Sequence, residues 1–162
     1  MRITIAAIGR LKDGPERALY KRFADRVDGA GRAQAIGPLK LIELPESRAS
    51  SSNARKHDEA GRLMEKIDIG SGNRLVSLDE TGAAMTSAAF ASMLGDHQED
   101  GISELVFAIG GADGHGQAIT AASSKSLSLG SMTLPHGLAR IILVEQIYRA
   151  ITINSGHPYH RA

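Results

Sequence analysis

The stretch ELVFAIGGADG, from Glu104 to Gly114, joins an apolar run to a cluster of glycines. The apolar run predicts a buried strand over Glu104–Ile109. In open α/β sheets, ligands bind beyond the carboxyl ends of the strands, and glycines there allow the backbone to approach a ligand closely. The stretch therefore indicates a binding loop, although a plain strand-to-helix turn has the same pattern.

Other apolar runs and several helical patterns lie around this stretch. The remaining predicted strands are Ile3–Ile8, Leu39–Leu44 and Arg74–Leu78. Strands that alternate with helices predict an α/β fold, with a mostly parallel sheet that is flanked by helices. No linker or repeat divides the chain, so we expect a single domain over residues 1–162.

The helices are predicted from apolar periodicity and from capping residues. The first begins at Pro15, carries a stripe of Leu19, Phe23 and Val27, and is followed by a loop over Asp28–Pro38. The second helix follows a polar loop at Pro45–Asn53 and ends near Asp68, and the third follows a cap at Thr86. The fourth covers Gln117–Lys125 and the fifth covers Leu138–Ile153.

The composition is that of an ordinary globular protein. Hydrophobic residues make up 42% and charged residues 23% of the 162 residues, and cysteine is absent. The absence of cysteine excludes disulfides and cysteine nucleophiles, and it suits a reducing cytoplasm. No apolar run is long enough for a signal peptide or a membrane span, so we expect a cytoplasmic protein with no membrane partner.

The net charge of +1 conceals an asymmetry along the chain. Residues 1–74 carry 15 Lys and Arg against 10 Asp and Glu, whereas residues 75–162 carry 4 against 8. The basic half indicates a polyanionic partner, although an ordinary solvated surface fits the same counts.

Motifs of several other ligand and enzyme classes are missing from the sequence. The glycine cluster is not the G-x-G-x-x-G fingerprint of dinucleotide-binding folds, and there is no phosphate-binding G-x-x-x-x-G-K-[ST] or hydrolase G-x-S-x-G. His157 and His160 have a spacing that suits metal ligands, but no cysteine or acid cluster accompanies them, so we expect no metal site. The other histidines are expected to be ordinary loop residues near the ligand (His115 and His136) or surface helix residues (His57 and His97).

The last predicted helix and the segment after it are unusual. Apolar residues cover most of the circumference of the helix, which predicts burial on several sides and a subunit interface as well as a core contact. Glu145 and Arg149 lie one helical turn apart and are predicted to pair. The terminal HPYHRA, His157–Ala162, is rich in recognition side chains, and from the residues alone an active-site role stays open.

Together the motifs resemble the RlmH family of bacterial SPOUT-class methyltransferases. The resemblance implies N3-methylation of a pseudouridine in 23S rRNA, on the assembled ribosome, with S-adenosylmethionine as the cofactor. It also implies a homodimer and a SPOUT methyltransferase fold with a C-terminal trefoil knot, a rare feature among proteins. The similar segments are MRITIAAIGRLK at Met1–Lys12, RLVSLDETG at Arg74–Gly82, IGGADG at Ile109–Gly114, LSLGSMTLPH at Leu127–His136, ARIILVEQIYRA at Ala139–Ala150 and NSGHPYHR at Asn154–Arg161.

The resemblance also implies candidate site residues. Ala112 and Gly130 depart from it, since proline and a larger residue are more common at these positions. The residues implied for cofactor binding are Leu78, Gly110, Leu129, Gly130, Ser131, Met132, Thr133 and Leu134. The resemblance places the catalytic candidates near the base, and their individual roles are hypotheses. Arg149 and Arg161 are expected to stabilise the pseudouridine anion, and His157, His160 or Glu145 to take the N3 proton directly or through water. Tyr159 is expected to stack on the base or to hydrogen-bond it.

The terminal segment and the first helix are expected to contact other molecules. The terminal segment His157–Ala162, here called the tail, is expected to reach the cofactor site of the partner subunit, so that each active site is shared. A non-enzymatic, ribosome-associated RNA-binding protein with the same fold is one alternative, and a small α/β enzyme for another nucleotide-like ligand is a second. Residues expected to contact the rRNA backbone without reading bases are Arg17, Lys21, Arg22 and Arg26 on the first helix.

Overall fold

A parallel sheet with helices on both faces forms the centre of the structure. The computed structural model describes residues 1–160. Its strands are β1 (Arg2–Ile8), β2 (Leu39–Leu44), β3 (Asn73–Ala84), β4 (Glu104–Ile109) and β5 (Lys125–Ser128). They hydrogen-bond in the order β2-β1-β4-β3-β5, and every pair is parallel. The predicted α/β class with a mostly parallel sheet is therefore confirmed.

Four helices connect successive strands, a fifth follows the last strand, and together they cover the two faces of the sheet. They are α1 (Pro15–Gly31), α2 (Ser52–Met64), α3 (Ser87–Glu99), α4 (Gln117–Ala122) and α5 (His136–Asn154). The predicted cap of α3 is confirmed, because the Thr86 hydroxyl accepts the N–H of Ala89 at 3.1 Å. The trefoil knot that the resemblance implies stays a prediction.

The two faces of the sheet carry separate apolar cores, because side chains alternate along a strand. From β1, Ile3 and Ile5 lie in a larger core with α1, α3 and α5, whereas Ala6 and Ile8 lie in a smaller core with α2 and α4. Both faces of the central strands are thus covered, which accounts for their continuous apolar sequence.

The predicted burial of α5 on several sides is confirmed. The helix packs against α1, α3 and the sheet, and Leu143, Val144, Ile147 and Ile151 are fully buried. Much of its apolar circumference is thus covered within the chain, and the subunit interface stays a prediction. Within residues 1–160, no helix has the length and apolar character needed to cross a membrane, and no group of three metal-ligating side chains comes together.

The buried face of α1 differs from the predicted stripe. Leu19 is 40% exposed, whereas its neighbour Tyr20 is 7% exposed and fills the core position with its ring. The helix also continues through Asp28 to Gly31, where a loop is predicted, and a short 3₁₀ turn follows at Arg32–Gln34.

The third strand is longer than the predicted Arg74–Leu78. After Leu78 the chain bulges and returns, so that Ala83 pairs with Leu127 of β5. A Cβ on Gly82 would lie 2.7 Å from the carbonyl carbon of Leu127, so glycine is required for this close pairing. The polar DETG segment is typical of a turn, which explains why the sequence does not predict the second half of the strand.

Smaller boundary differences occur in the helices α2 and α4. The helix α2 begins at Ser52, inside the predicted loop, and ends at Met64, before the predicted Asp68. The helix α4 ends at Ala122, and Lys125 belongs to β5 instead of to the predicted helix. Strand pairing with β3 determines this last boundary, and a short sequence window does not report such long-range contacts.

Candidate functional site

An open cleft lies beyond the carboxyl ends of β3, β4 and β5, where parallel α/β sheets bind ligands. Its volume is about 760 Å³. The end of β3, a glycine turn (Gly110–Gly114) and a cleft loop (Leu129–Pro135) contribute its walls. Of the residues that the resemblance implies for the cofactor, all but Ser131 line this cleft: Leu78, Gly110, Leu129, Gly130, Met132, Thr133 and Leu134.

The glycine turn is too tight for side chains at several positions. The N–H of Gly114 donates to the carbonyl of Gly111 at 3.0 Å, and Gly114 has a φ of +83°. A Cβ on Gly110 would lie 2.9 Å from the carbonyl carbon of Gly114. Glycine is therefore required where the chain reverses. Ala112 is exposed, so its departure from the more common proline does not disturb the packing of the turn.

Side-chain hydrogen bonds hold the cleft loop at both ends. The Ser128 hydroxyl donates to the carbonyl of Gly130 at 2.9 Å and accepts the N–H of Gly130 at 3.2 Å. The Thr133 hydroxyl donates to Glu80 at 2.8 Å and so joins the loop to the bulge of β3. Gly130 has a φ of +146°, a conformation that favours glycine and accounts for the small residue at this position.

The charged side chains that line the cleft are mainly acidic. Hydrogen bonds from the hydroxyl and the N–H of Thr81 lower the pKa of Asp79, and hydrogen bonding to Arg55 lowers the pKa of Asp113. Both carboxylates are thus ionised at neutral pH. Arg55 balances the charge of Asp113, so Asp79 is the carboxylate that makes the cleft favour a cationic ligand over a phosphate. Among the described residues, the titratable side chains of the lining are Asp79, Glu80, Asp113 and His136, with no Lys or Arg.

His115 joins the glycine turn to the end of β3. Its Nε2 lies 2.9 Å from the carbonyl oxygen of Leu78, which accepts a hydrogen bond from the ring. Burial lowers the pKa of His115 below its ordinary value of 6.5, so the ring is neutral at pH 7. His115 thus lies in a loop beside the cleft as expected, and its side chain also ties one cleft-lining strand to the neighbouring turn. His136 lines the cleft but is the first residue of α5 instead of a loop residue. His97 lies on α3 as expected, but it is half-buried.

A buried arginine beside the cleft is missing from the predicted site. Arg140 directly follows Ala139, which lines the cleft, and Arg140 is 0% exposed. Its guanidinium donates to the carbonyl of Gly9 at 3.0 Å and to the carboxylate of Glu43, at the ends of β1 and β2. The sequence signal is an arginine on a mostly apolar helix, and its acceptors are known only from the fold. These bonds fix the first turn of α5 on the sheet.

The segment after α5 packs on α5 itself. The Tyr159 hydroxyl donates to Glu145 at 3.0 Å, and the Tyr159 ring meets Tyr148 edge-on with centroids 4.6 Å apart. The guanidinium carbon of Arg149 lies 5.0 Å from the centroid of the Tyr159 ring. Arg149 also pairs with Glu145 at 2.5 Å, which confirms the predicted pair.

The residues predicted for catalysis and those predicted for the cofactor form two groups. His157 is exposed and His160 is half-buried, whereas Arg161 lies outside the described residues. None of the described catalytic candidates lines the cleft of its own chain. Since an α-helix rises about 1.5 Å per residue, Ala139 at the cleft and Tyr148 at the tail are roughly 13 Å apart along α5.

Most of the basic residues on α1 are engaged within the chain, and Arg22 is exposed. The helix thus presents less free positive charge than its sequence indicates. The contacts are those of Arg17 with Asp13 at 3.3 Å, of Lys21 with Asp25 at 2.7 Å, and of Arg26 with the ring centroids of Phe23 at 5.5 Å and Tyr148 at 5.6 Å.

A parallel sheet with a glycine-walled cleft beyond its carboxyl edge defines an α/β protein that binds a small ligand at that edge. Residues 1–160 match the family described as "Predicted SPOUT methyltransferase", and the chain belongs to this family. The fold class expected from the resemblance is thereby confirmed, and the chain is an enzyme of the methyltransferase class.

Curated relatives align with the whole chain. A protein of Rhizobium meliloti (strain 1021) named "Ribosomal RNA large subunit methyltransferase H" is 50% identical over 162 residues, which are 100% of both chains. A protein of the same name from Agrobacterium fabrum (strain C58) is 48% identical over 161 residues, 99% of both chains. Another from Brucella anthropi is 45% identical over 162 residues, 100% of both chains. The resemblance to the RlmH family is thus confirmed.

Proposed function

We propose that the chain transfers a methyl group from S-adenosylmethionine to N3 of a pseudouridine in 23S rRNA, on the assembled ribosome in the cytoplasm. The names of the full-length relatives support ribosomal RNA of the large subunit as the substrate. The observation that carries the proposal is the cleft, whose walls are glycine backbone and apolar side chains and whose charged groups are mainly acidic.

The lining of the cleft fits this methyl donor. S-adenosylmethionine carries a sulfonium and an ammonium group and no phosphate, so ionised Asp79 attracts it while a phosphate would be repelled. Leu78, Leu129 and Leu134 offer apolar surface for the adenine, and the backbone of the glycine turn offers hydrogen bonds to the polar ends of the donor. When bound, the donor supplies an electrophilic methyl group.

The tail and α5 together supply the groups proposed to act on the acceptor base. Removal of the N3 proton leaves an anion that is shared by two carbonyl oxygens, and Arg149 and Arg161 are the proposed groups that stabilise this charge. Glu145 already accepts hydrogen bonds from Arg149, Tyr159 and Gln146, so we assign it the role of holding these side chains. His157 and His160 then remain as the acceptors of the proton.

We further propose a homodimer in which the tail of one subunit reaches the cleft of its partner. The tail and the cleft are separate within one chain, which supports a shared site. Two large apolar side chains beside the cleft also support it, since Met132 is 79% and Leu138 is 45% exposed. Burial of such apolar surface against a second copy is favourable.

The proposal is tested with ribosomes from a strain that lacks the modification. We expect donor-dependent methylation of one nucleotide, which mapping identifies, and calorimetry should show binding of S-adenosylmethionine. Donor binding without methylation of these ribosomes would favour another RNA target, and the absence of donor binding would favour a non-enzymatic RNA-binding protein. Tight binding of a phosphate-bearing nucleotide in place of the donor would favour a small α/β enzyme for another nucleotide-like ligand.

The exposed Arg22 is the proposed contact of α1 with the rRNA backbone. We expect Arg22→Glu to weaken ribosome binding. The dependence of log affinity on log salt concentration should become shallower by the amount of about one phosphate contact. An unchanged slope would contradict this contact.

A further inference from the structure

The helix α2 packs directly against the glycine turn. A Cβ on Gly111 would lie 2.7 Å from Oε2 of Glu59, and a Cβ on Gly116, just after the turn, would lie 2.8 Å from the Cβ of Ala60. The backbone carbonyl of Lys56 blocks the same position on Gly116. The glycines therefore bring the turn into contact with one face of α2, and the position of the turn depends on this helix.

Arg55 connects α2 to the glycine turn and to the loop that precedes the helix. Its Nε donates to Oδ2 of Asp113 at 2.6 Å and its Nη2 donates to Oδ1 at 3.1 Å, which forms a bidentate ion pair. Its Nη1 donates to the carbonyl of Ala49 at 3.2 Å, in the segment between β2 and α2. One guanidinium thus holds a cleft-lining carboxylate and a neighbouring loop in a fixed relation.

Glu59 has a parallel arrangement one helical turn further along. It is 5% exposed, and its Oε1 accepts the N–H of Ser47 at 2.8 Å. Its Oε2 lies against Gly111 and has no hydrogen-bond partner among the described residues. Glu59 therefore supports the turn through the volume of its side chain against Gly111, and it holds Ser47 through one hydrogen bond.

From these contacts we infer that Arg55 and Glu59 are positioning residues for the methyl donor. Neither residue lines the cleft, so each acts through the glycine turn, Arg55 through Asp113 and Glu59 through Gly111. The inference rests on the proposed function, because it takes S-adenosylmethionine as the ligand of the cleft. Loss of either side chain lets the turn move away from the donor, which weakens donor binding without removing a group that reacts.

Arg62 provides a matched control on the same helix. It donates to the carbonyl of Pro45 at 2.9 Å and pairs with Asp58 at 3.0 Å. It therefore anchors the same loop between β2 and α2, but its contacts do not include the turn. A variant Arg62→Ala disturbs the helix and the loop to a similar extent and leaves the donor site supported.

The test compares donor affinity, turnover and thermal stability in the full-length chain. Arg55→Ala and Glu59→Ala are expected to raise the Kd and KM for S-adenosylmethionine by about tenfold, with kcat at saturating donor within about twofold of wild type. Glu59→Gln keeps the volume and the acceptor for Ser47, so it should bind the donor as wild type does. Arg55→Lys keeps a single ion pair and should be intermediate. Arg62→Ala should leave Kd unchanged.

Three outcomes decide the inference. A loss of donor affinity in Arg55→Ala and Glu59→Ala, but not in Arg62→Ala, supports the inference. This holds even if the Tm of all three variants falls by the same amount. Donor affinity in Arg55→Ala and Glu59→Ala that equals that of Arg62→Ala would overturn the inference and leave the proposed function intact. A wild-type chain that does not bind S-adenosylmethionine would overturn both.

Discussion

The hydroxyl of Tyr159 donates to Glu145 at 3.0 Å, and this bond anchors the tail to the middle of α5. Burial, and then the hydrogen bond to Glu145, raises the pKa of Tyr159 above its ordinary value of 10.0. The phenol therefore stays protonated at neutral pH and does not act as a proton acceptor. His157, two residues earlier, is exposed, and its Nδ1 accepts the N–H of Tyr159 at 3.2 Å.

Replacement of His157 by Ala separates a catalytic role of the tail from a structural one. We expect turnover on unmodified ribosomes to fall by about 100-fold or more, because a proton acceptor contributes factors of this size. The free energy of unfolding should change by less than about 0.5 kcal/mol, since the side chain is exposed. The measurements are single-turnover methylation and urea unfolding, with donor binding by calorimetry as a control.

Deletion of His157–Ala162 extends the same test to the whole tail. We expect methylation to be abolished while the donor and the second subunit still bind. Some stability should also be lost, because the deletion removes the packing of Tyr159 against Tyr148. Full turnover of the shortened chain would contradict a catalytic tail.

Replacement of Arg140 by Met should destabilise the protein strongly. The change leaves the carbonyl of Gly9 without its donor and removes the guanidinium from Glu43, which keeps the N–H of Leu11 at 2.8 Å and Arg17 at 3.6 Å. Removal of one partner from a buried ion pair costs about 3 kcal/mol or more. Arg149→Met on the same helix is the control, because its pair with Glu145 is partly exposed and should cost less than about 1 kcal/mol. Equal losses in urea unfolding would contradict a special role for Arg140.

The sequence predicts the parts of this fold that depend on local pattern. The apolar runs place β1, β2 and β4, and the glycine cluster places the cleft at the end of β4, because burial and tight turns leave local signals. The second half of β3 depends on pairing with β5, which is remote in sequence. The roles of Arg140 and His115 depend on backbone carbonyls of other strands, which no side-chain pattern reveals.

Buried His115 should make the free energy of unfolding fall as the pH is lowered below about 7. Burial lowers its pKa in the folded chain below the ordinary 6.5, so at pH values between the folded and the unfolded pKa the unfolded chain binds more protons than the folded chain. The stabilisation is complete above the unfolded pKa and is lost as the pH falls towards the folded pKa. Urea unfolding at several pH values should show this slope, and His115→Gln should reduce it.

His97 is the comparison for this measurement. Burial also lowers its pKa below 6.5, so His97→Gln should remove a further part of the slope. If His115→Gln leaves the pH dependence as in wild type, the buried ring does not titrate as proposed.

Asp79 provides a test of the charge of the methyl donor. Its Oδ1 accepts both hydrogen bonds from Thr81, which lower its pKa and keep a full negative charge in the cleft. S-adenosylmethionine carries a sulfonium charge that its product S-adenosylhomocysteine lacks, so the carboxylate should favour the donor. We expect Asp79→Asn to raise the Kd of the donor by about tenfold and that of the product by less, since charge-assisted contacts are the stronger ones. Calorimetry with both ligands measures the two changes, and Asp68→Asn, outside the cleft, is the control. Equal losses of affinity for donor and product would mean that Asp79 contacts a group that the two ligands share. No loss of affinity for either ligand would mean that Asp79 does not contact the ligand.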